Sequence, residues 1–372
     1  MAGIYIHIPF CQTRCNYCDF FSSVSINKKT QYIDAVCQEL ALRKDYLNGE
    51  NIRTIYFGGG TPSLLDKEDF EKIFTQMMKC KGKNKEISLE VNPDDLTPQY
   101  LKSLKDLPFN RISLGIQSFN NSELRMLNRR HNAQKAIEAV KICQNAGFSN
   151  ISIDLMYGLP GQTLQIWKDN LKQALELDIQ HISAYHLMYE KETKLYNLLK
   201  QGKIAPIDET LSVEMFSEMI DILEVNGFEH YEISNFAKQG FASKHNASYW
   251  NGTHYLGVGA SAHSFNGQAR HWNVSDLDAY IATINQGKLP IETEIIDKKT
   301  SYNDFILTRM RTMKGISLSE LKDLFGEEKE IYCLHQAQKH IQNQTVKIED
   351  KYLKLTRTGI FISDGIMADL FI

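Results

Sequence analysis

The sequence GIYIHIPFCQTRCNYC, residues 3–18, decides the fold of this chain. Residues 3–8 form an apolar run that predicts a β-strand. Three cysteines follow within eight residues, at Cys11, Cys15 and Cys18. Structural zinc sites and iron-sulfur clusters that only transfer electrons usually have four protein ligands. Three thiolates therefore predict a [4Fe-4S] cluster with one iron open to another ligand.

Two other roles for these cysteines stay open on the residues alone. His7 could complete a Cys3His zinc site, because imidazole and thiolate are both common zinc ligands. The chain would then be a zinc-stabilised binding module. The three thiols could also be free side chains of a loop, and short cysteine spacings are themselves found in zinc sites.

Length and composition exclude several classes of protein. At 372 residues, 42% of them hydrophobic, the chain suits one large domain and a smaller one. A net charge of −3 does not favour binding of nucleic acid through its phosphates. The other cysteines are scattered, as expected in a reducing cytoplasm. Neither a signal peptide nor a run of about 18 apolar residues is present, so we expect a cytoplasmic protein without a membrane span.

Strand-like and helix-like segments alternate along the first part of the chain. Strands are predicted at residues 3–8, 52–57, 87–91, 111–116, 151–156 and 181–187. Helices are predicted at residues 28–47, 67–79, 98–104, 133–146, 164–177 and 211–224. Such alternation predicts an α/β fold with a parallel sheet and helices outside it. Six strands are too few for a closed eight-stranded barrel, so we expect an open (β/α)6 partial barrel of the TIM type.

The alternation stops near residue 236, and we expect a second domain there. The predicted domains are residues 1–235 and 236–372. Helices at 277–285, 301–313, 318–325 and 328–343, two short strands at 346–349 and 353–355, and a last helix after residue 356 give the second domain a mainly helical, winged-helix-like character. Ser317 and Glu320 form a predicted capping box. Because no basic face is concentrated here, a lid or a protein contact is favoured over DNA binding.

Polar residues fall at the ends of several predicted strands. The second strand runs into a glycine triplet, residues 58–60, where backbone groups can approach a ligand closely. The next strands carry Glu90, Gln117 and Asp154 near their ends, and Arg129 could form a forked pair with a carboxylate. Each of these side chains could instead form an internal salt bridge or cap a strand. Four consecutive polar strand ends together favour a ligand site, since such ends meet at one face of a barrel.

These motifs resemble those of the radical SAM superfamily, and in finer detail those of the oxygen-independent coproporphyrinogen III oxidase group. The resemblance covers essentially the whole chain and rests on residues 5–11, 17–18, 58–63, 90–93, 115–119 and 154–160. It implies that the open iron of the cluster is chelated by S-adenosylmethionine (SAM). It also implies SAM contacts at Tyr5, Tyr17, Gly59, Gly60, Thr61, Glu90, Gln117, Arg129 and Asp154.

The group has two branches, the oxidases themselves and the HemW heme chaperones. The oxidases have a further cysteine two residues after the third cluster ligand, whereas this chain has Phe20 there, and they have a longer segment before the first strand. Residues 245–250, HNASYW, match the HNxxYW motif of the chaperone branch, and residues 257–265 resemble the segment that follows it. The resemblance therefore implies a heme chaperone lacking oxidase activity. The alternative is a coproporphyrinogen III oxidase, which decarboxylates propionate side chains.

The HNxxYW segment is the predicted heme site. The resemblance implies that His245, Asn246, Tyr249 and Trp250 contact heme, and imidazole and aromatic rings suit an iron porphyrin. A histidine beside aromatic residues is also commonly a packed, hydrogen-bonded side chain. His7, His186, His254, His263 and His271 remain rival iron ligands. The implied partner is a heme-accepting protein, such as a respiratory heme protein, including one held at a membrane.

Overall fold

A computed structural model describes residues 1–77, 82 and 85–372. Its strands are β1 (Ala2–Ile8), β2 (Ile52–Gly59), β3 (Glu86–Val91), β4 (Arg111–Gln117), β5 (Ile151–Tyr157), β6 (His181–His186), β7 (Phe228–Glu232), β8 (Asn235–Lys238), β9 (His254–Val258), β10 (His263–Phe265), β11 (Ala269–Asn273), β12 (Ile291–Ile295), β13 (Ile316–Ser317), β14 (Val346–Glu349) and β15 (Tyr352–Leu355). Its helices are α1 (Lys29–Leu42), α2 (Lys67–Met77), α3 (Pro98–Ser103), α4 (Asn121–Met126), α5 (Ala133–Asn145), α6 (Leu164–Leu175), α7 (Lys194–Lys200), α8 (Glu209–Val225), α9 (Lys244–Trp250), α10 (Leu277–Asn285), α11 (Lys298–Met310), α12 (Leu318–Phe325), α13 (Glu327–Gln342), α14 (Arg357–Ile360) and α15 (Ser363–Leu370).

The six predicted strands form the parallel centre of one large sheet. Their order is β1-β2-β3-β4-β5-β6, and each pairs in parallel with its neighbour. The apolar residues of β1 that face the helices, Ile4, Ile6 and Ile8, are at most 1% exposed. Parallel strands of this kind put the ends of all six strands, and the loops after them, at one edge of the barrel.

The sheet extends on both sides of these six strands and stays open. On one side β9 pairs in parallel with β1, and β10, β11 and β12 follow in antiparallel order. On the other side β6 pairs with β8, which pairs with β7. The expectation of an open partial barrel is confirmed. Strand β8 begins at the predicted domain boundary and strands β9 to β12 lie in the second predicted domain, yet all of them join this sheet. The boundary at residue 235 stays a prediction.

Most predicted elements are present within a few residues of their predicted bounds. The last two positions of the helix predicted at residues 67–79 lie outside the described residues, and so does Cys80. The first helix stops at Leu42, five residues before the predicted end. Helices α4, α7 and α9 and strands β7 to β12 were missed, since each spans nine residues or fewer and carries too short a pattern for periodicity to reveal.

A buried ion pair at the end of α1 connects strands β9 to β11 to the barrel through hydrogen bonds. Glu39 on α1 and Arg43, the residue directly after this helix, are both nearly inaccessible, with Arg43 Nη1 3.1 Å from Glu39 Oε1. The Glu39 carboxylate accepts hydrogen bonds from the backbone of Gly259, the side chain of Asn273 and the hydroxyl of Tyr280. A buried charge needs such partners to offset its lost hydration. The polar sequence after residue 236 thus packs against the first helix.

The last part of the chain has its own small sheet, in the order β13-β15-β14, beside α11, α12 and α13. This agrees with the expected winged-helix-like character. Ser317 accepts a hydrogen bond from the backbone N–H of Glu320, as the predicted capping box requires, but the Glu320 carboxylate pairs with Arg309 instead of completing the box. Among the described residues, none of the helices is long and apolar enough to span a membrane.

Candidate functional site

One cavity, called the main cavity below, lies at the carboxyl ends of the parallel strands. It encloses about 480 Å³ and brings together residues from the cysteine loop and from five of the strand ends. Of the predicted site residues it is lined by Cys11, Cys15, Cys18, Tyr17, Gly59, Gly60, Thr61, Glu90, Gln117, Arg129 and Asp154. Side chains that are more than 140 residues apart in sequence thus share one wall. The predicted cluster ligands and nearly all predicted SAM contacts lie in this cavity.

The three cysteines stand on the loop that follows β1. The backbone N–H of Cys11 donates to Ser23, which closes the loop, and the N–H of Cys18 donates to the carbonyl of Cys15. Burial raises the pKa of the Cys11 thiol and raises that of Cys18 to about 11. A positively charged iron centre would reverse this effect, because metal ligation stabilises the thiolate.

The arrangement of these thiols suits a cluster better than a single metal ion. Among the described residues, no three Cys, His, Asp or Glu side chains are placed to hold one ion. In a [4Fe-4S] cluster each thiolate binds a different iron, so the three sulfur atoms need not meet at one point. His7, the proposed fourth zinc ligand, is buried with its Nδ1 3.0 Å from the Tyr5 hydroxyl and its Nε2 3.0 Å from the Phe21 carbonyl. This leaves neither imidazole nitrogen for zinc.

The glycine loop after β2 is shaped by close contacts. Gly59 has a φ of 111°, in the region that favours glycine, and a Cβ there would lie 2.4 Å from the His7 ring. A Cβ on Gly60 would lie 2.8 Å from the carbonyl oxygen of Phe10. Larger residues would therefore push the loop away from β1. The glycines keep the loop next to the cysteine segment, where Thr61 contacts Cys11 with Oγ1 3.5 Å from Sγ.

Two partly buried carboxylates face the cavity. Glu90 accepts hydrogen bonds from the Tyr56 hydroxyl at 2.7 Å and from the backbone N–H of Gly59 at 3.1 Å. Burial raises the pKa of Glu90 to about 7 and that of Asp154 to about 6. Arg111 lies in the same lumen, and its charge lowers the pKa of both carboxyl groups by a smaller amount. A cationic ligand would favour the ionised carboxylates, so the site suits a group such as the ammonium of SAM.

Gln117 is aimed by a local irregularity in the sheet. It has a φ of 71°, and the pairing of β4 with β5 shifts register between Gly115 and Gln117. Bulges of this kind redirect a side chain and are common beside active sites. The residue is mostly buried and lines the main cavity. Its strand-end position was predictable, whereas the bulge was not.

Arg129 connects the cysteine loop to the strand ends. Its Nη1 lies 3.2 Å from the Cys15 sulfur, and its Nη2 bonds to the side chain of Asn92 and to the carbonyl of Gly115. Its Nε is buried and has no hydrogen-bond partner among the residues that the structure describes. A guanidinium so placed can compensate negative charge on the cysteine loop and still has a donor for an anionic group, such as a carboxylate.

The two tyrosines predicted to contact SAM occupy different places. Tyr17 lines the main cavity between two of the cysteines and packs against the apolar cluster that contains Leu127 and Met156. Tyr5 lies deeper in the barrel, where it lines a neighbouring cavity of about 260 Å³. Glu90 and Asp154 border both cavities. Tyr5 is thus one layer below the carboxylates, and its contact with SAM stays a prediction.

His245 closes the barrel lumen from the end opposite the cysteines. It is 1% exposed, with its Nδ1 2.9 Å from Thr54 Oγ1 and its Nε2 2.9 Å from the Tyr249 hydroxyl. Its ring stacks on that of Tyr56 at 5.0 Å. The Glu86 carboxylate accepts the first backbone N–H groups of α9, including that of His245 at 3.0 Å. Both imidazole nitrogens are thus in use, and burial lowers the pKa of His245 to about 3.

The four predicted heme residues lie on two sides of α9. His245, Asn246 and Tyr249 line the inner cavity of the barrel, whereas Trp250 faces a cavity beside the C-terminal helices. A heme bound at both places would have to pass through α9. Ligation of iron by His245 would also require the loss of one of its two hydrogen bonds. The heme contacts of this segment stay a prediction.

The rival histidines are also spread over the molecule. Among them only His186 lines the main cavity, at the end of β6. The Nδ1 of His254 lies 2.6 Å from the Glu50 carboxylate, and that of His271 lies 2.9 Å from Thr293 Oγ1. His263 packs against Trp272 on the antiparallel strands. The structure brings none of the other rivals to the cysteines.

Sequence reasoning missed several residues that shape the main cavity. Asn92 and Ser113 line it, and Tyr56 orients Glu90 from below. The exposed side chains of Phe20 and Met188 stand at its rim. Tyr56 and Ser113 could have been found from the two-residue alternation of their strands, because they share a face with the glycine loop and with Gly115. The rim residues carry no such signal.

Comparisons with known proteins agree with this arrangement. A family model described as the radical SAM superfamily matches residues 5–174, and one described as the HemN C-terminal domain matches residues 296–362. Curated relatives with the name heme chaperone HemW, from Lactococcus lactis and Bacillus subtilis, are 36% and 35% identical to this chain. The first alignment covers 86% of this chain and 84% of the relative, and the second covers 88% and 87%.

Among solved structures, coproporphyrinogen III oxidase (HemN) from Escherichia coli, a radical SAM enzyme, has a similar fold. The TM-score is 0.85, with 100% of this chain and 90% of that chain covered. At 22% identity this likeness shows a shared architecture, which includes the open barrel and the part that follows it.

Proposed function

Because the chain belongs to the HemW family of radical SAM proteins, we propose that it is a heme chaperone, which binds heme and transfers it to an acceptor protein. The observation that carries the proposal is its identity of about one third with proteins of that name over most of both chains. Membership of the radical SAM superfamily implies a [4Fe-4S] cluster and SAM. Heme binding is the step proposed for this chain.

We assign the cluster to Cys11, Cys15 and Cys18, and SAM to the main cavity beside them. Support comes from the donor set, since three thiols line one cavity together with two carboxyl groups whose pKa values are raised by burial. When bound, the reduced cluster supplies an electron to SAM. The chain's own residues hold the two groups next to each other and keep water away.

Each wall of the cavity has a distinct part in this assignment. Glu90, fixed by Tyr56 and the Gly59 N–H, would receive the ammonium group of SAM. Arg129, whose Nε is unpartnered, would pair with the SAM carboxylate. Asp154 would accept hydrogen bonds from the ribose hydroxyls. The buried walls lower the local dielectric, so these charged contacts are stronger than they would be in water.

We propose that heme transfer takes place in the cytoplasm. None of the described cysteines is in a disulfide, in keeping with a reducing compartment. The acceptor would be a heme protein, for example one of a respiratory chain. A coproporphyrinogen III oxidase is the alternative, and the absence of a cysteine at position 20 weighs against it, since that position holds Phe20.

The test is a heme titration of the anaerobically purified protein with its cluster reconstituted. We expect a stoichiometric Soret band that develops without loss of the broad absorbance of the cluster. The same preparation, given coproporphyrinogen III, SAM and a reductant, should form no protoporphyrinogen. A protein that carries a cluster but takes up no heme, or one that turns over coproporphyrinogen, would overturn the proposal and favour the oxidase.

A further inference from the structure

A second cavity lies between α9 and the C-terminal part of the chain. It encloses about 370 Å³, and its lining includes Tyr231, Trp250, Arg309, Lys314, Glu320 and Tyr352. This volume is at the low end of the range for small-molecule sites. Aromatic rings and basic side chains share its wall. Such a lining suits a flat ligand with negative charge.

The basic groups at this cavity are not all neutralised. Arg309 is paired with Glu320 at 2.7 Å and also donates to the carbonyls of Trp250 and Asn251. Lys314, which is exposed, forms no ion pair in the part of the chain that the structure describes. Its amino group lies 5.3 Å from the ring centroid of Tyr352. One positive charge at the rim is thus free to meet an anion.

Trp250, which lines the cavity, and the neighbouring Arg311 carry two buried donors. Within the described part of the chain, the indole Nε1 of Trp250 and the Nε of Arg311 have no hydrogen-bond partner. The Arg311 guanidinium lies 5.0 Å from the centroid of the Trp250 ring. A buried N–H without a partner costs free energy, and a bound acceptor would remove that cost. A ligand with carboxylate oxygens supplies such acceptors.

We propose that this cavity holds a carboxylate of bound heme, namely a propionate group, with Lys314 as its charged partner and the Trp250 indole as a further donor. The assignment rests on the proposed heme chaperone function and adds to it the place where the porphyrin carboxylate binds. The cavity is too small to hold the entire porphyrin, so the porphyrin ring extends out of the cavity past Trp250. Glu320 lies on the same wall but is held by Arg309, which leaves the Lys314 side for the anion.

The occupant is identified by three features that act together. Trp250, one of the four residues predicted to contact heme, lines this cavity, whereas the other three line the inner cavity on the opposite side of α9. Tyr231 and Tyr352 add aromatic surface on two further sides. A small inorganic anion would use the charge and the donors, whereas heme would in addition place the edge of its ring against Trp250 where the ring leaves the cavity.

The experiment compares heme with its dimethyl ester, in which both carboxylates are blocked. Each is titrated into the reconstituted full-length protein as wild type, Lys314→Glu and Trp250→Phe. Lys105→Glu, at an exposed lysine that does not line this cavity, makes the same charge change as a control. Cluster absorbance and the thermal midpoint show that each variant is folded. Because Lys314 is exposed, its substitution leaves the fold intact.

We expect Lys314→Glu to weaken heme binding by at least about tenfold, the effect of one charge-assisted hydrogen bond, and to leave binding of the ester unchanged. Trp250→Phe should weaken binding of heme by about threefold to tenfold and should weaken binding of the ester less. The assignment is wrong if Lys314→Glu changes heme and ester binding equally, or changes neither. If the wild type binds no heme at all, the chaperone function itself fails, which the wild-type titration reveals before any variant is compared.

Discussion

Substitution of Glu90 by Gln tests the assignment of the main cavity most directly. Burial raises the pKa of Glu90 from 4.5 to about 7. This shift corresponds to about 3 kcal/mol by which the folded protein disfavours the ionised carboxylate. A ligand ammonium group beside Glu90 would recover part of that free energy. SAM binding should therefore depend on the charge of this one residue.

The direction of the pH effect follows from the raised pKa. Because the folded state holds this proton more tightly than the unfolded state, the carboxyl group destabilises the fold increasingly as pH rises from about 4.5 to about 7, and fully above that. SAM prefers the ionised form. Its affinity should then fall as pH decreases below about 7, by up to about tenfold per pH unit, because a proton must be released on binding.

The assay is anaerobic titration of SAM into the reconstituted protein between about pH 6 and about pH 8, for the wild type, Glu90→Gln and the exposed control Glu68→Gln. Glu90→Gln should bind SAM at least about tenfold more weakly at the upper pH and lose the pH dependence above about pH 6.5. A residual slope at lower pH is expected from Asp154, whose pKa is about 6. A variant with wild-type affinity and the wild-type pH profile would refute the assignment of the ammonium group to Glu90.

Three further predictions concern residues around the barrel. His245→Ala should lower the free energy of unfolding by about 3 kcal/mol, because it removes two hydrogen bonds and a stacked ring. It should also weaken SAM binding through the lost contact with Tyr56. Urea unfolding measures the loss of stability, and His335→Ala, at an exposed histidine, is the control that should behave as wild type. Glu39→Gln should destabilise the protein by about 3 kcal/mol or more, because Arg43 is left buried without its partner, and a mild loss in calorimetry would contradict this. Gly59→Ala should reduce SAM affinity strongly while a cluster still forms, as measured by iron content and titration, because its Cβ would meet the His7 ring at 2.4 Å.

The sequence was sufficient for the parallel barrel and for most of its cavity. Strands buried on both faces have a long apolar run, and the polar residues at their ends stand out against it, as Glu90 and Asp154 do. The position of β9 was not predictable, because a five-residue strand pairs in parallel with β1 from more than 240 residues away. No local pattern specifies such a partner, which is chosen by tertiary contacts.

In the HNxxYW segment, too, the local sequence does not reveal the tertiary contacts of a residue, here His245. In the sequence His245 stands in a polar stretch and is indistinguishable from a surface histidine. In the structure it fills the lumen because Thr54 and Glu86, both on strands far earlier in the chain, supply partners for its ring and its backbone. Only the alternation within β2 and β3 hints that these two polar groups face inward.

The position of α9 connects the two halves of the proposed function. On the inner side of α9, the His245 ring stacks on Tyr56, whose hydroxyl donates a hydrogen bond to Glu90. At the end of α9, the Trp250 carbonyl accepts a hydrogen bond from Arg309, and the Trp250 ring lies beside the Arg311 guanidinium. Any shift of Glu90 on binding SAM would therefore act on the same helix that borders the second cavity. If heme and SAM are coupled, each must change the affinity for the other by the same factor. Heme titrations with and without SAM, repeated with SAM titrations with and without heme, should give equal factors in the wild type. In His245→Ala, where the stacked contact is lost, the factor should approach one, and an unchanged factor there would show that α9 does not carry the coupling.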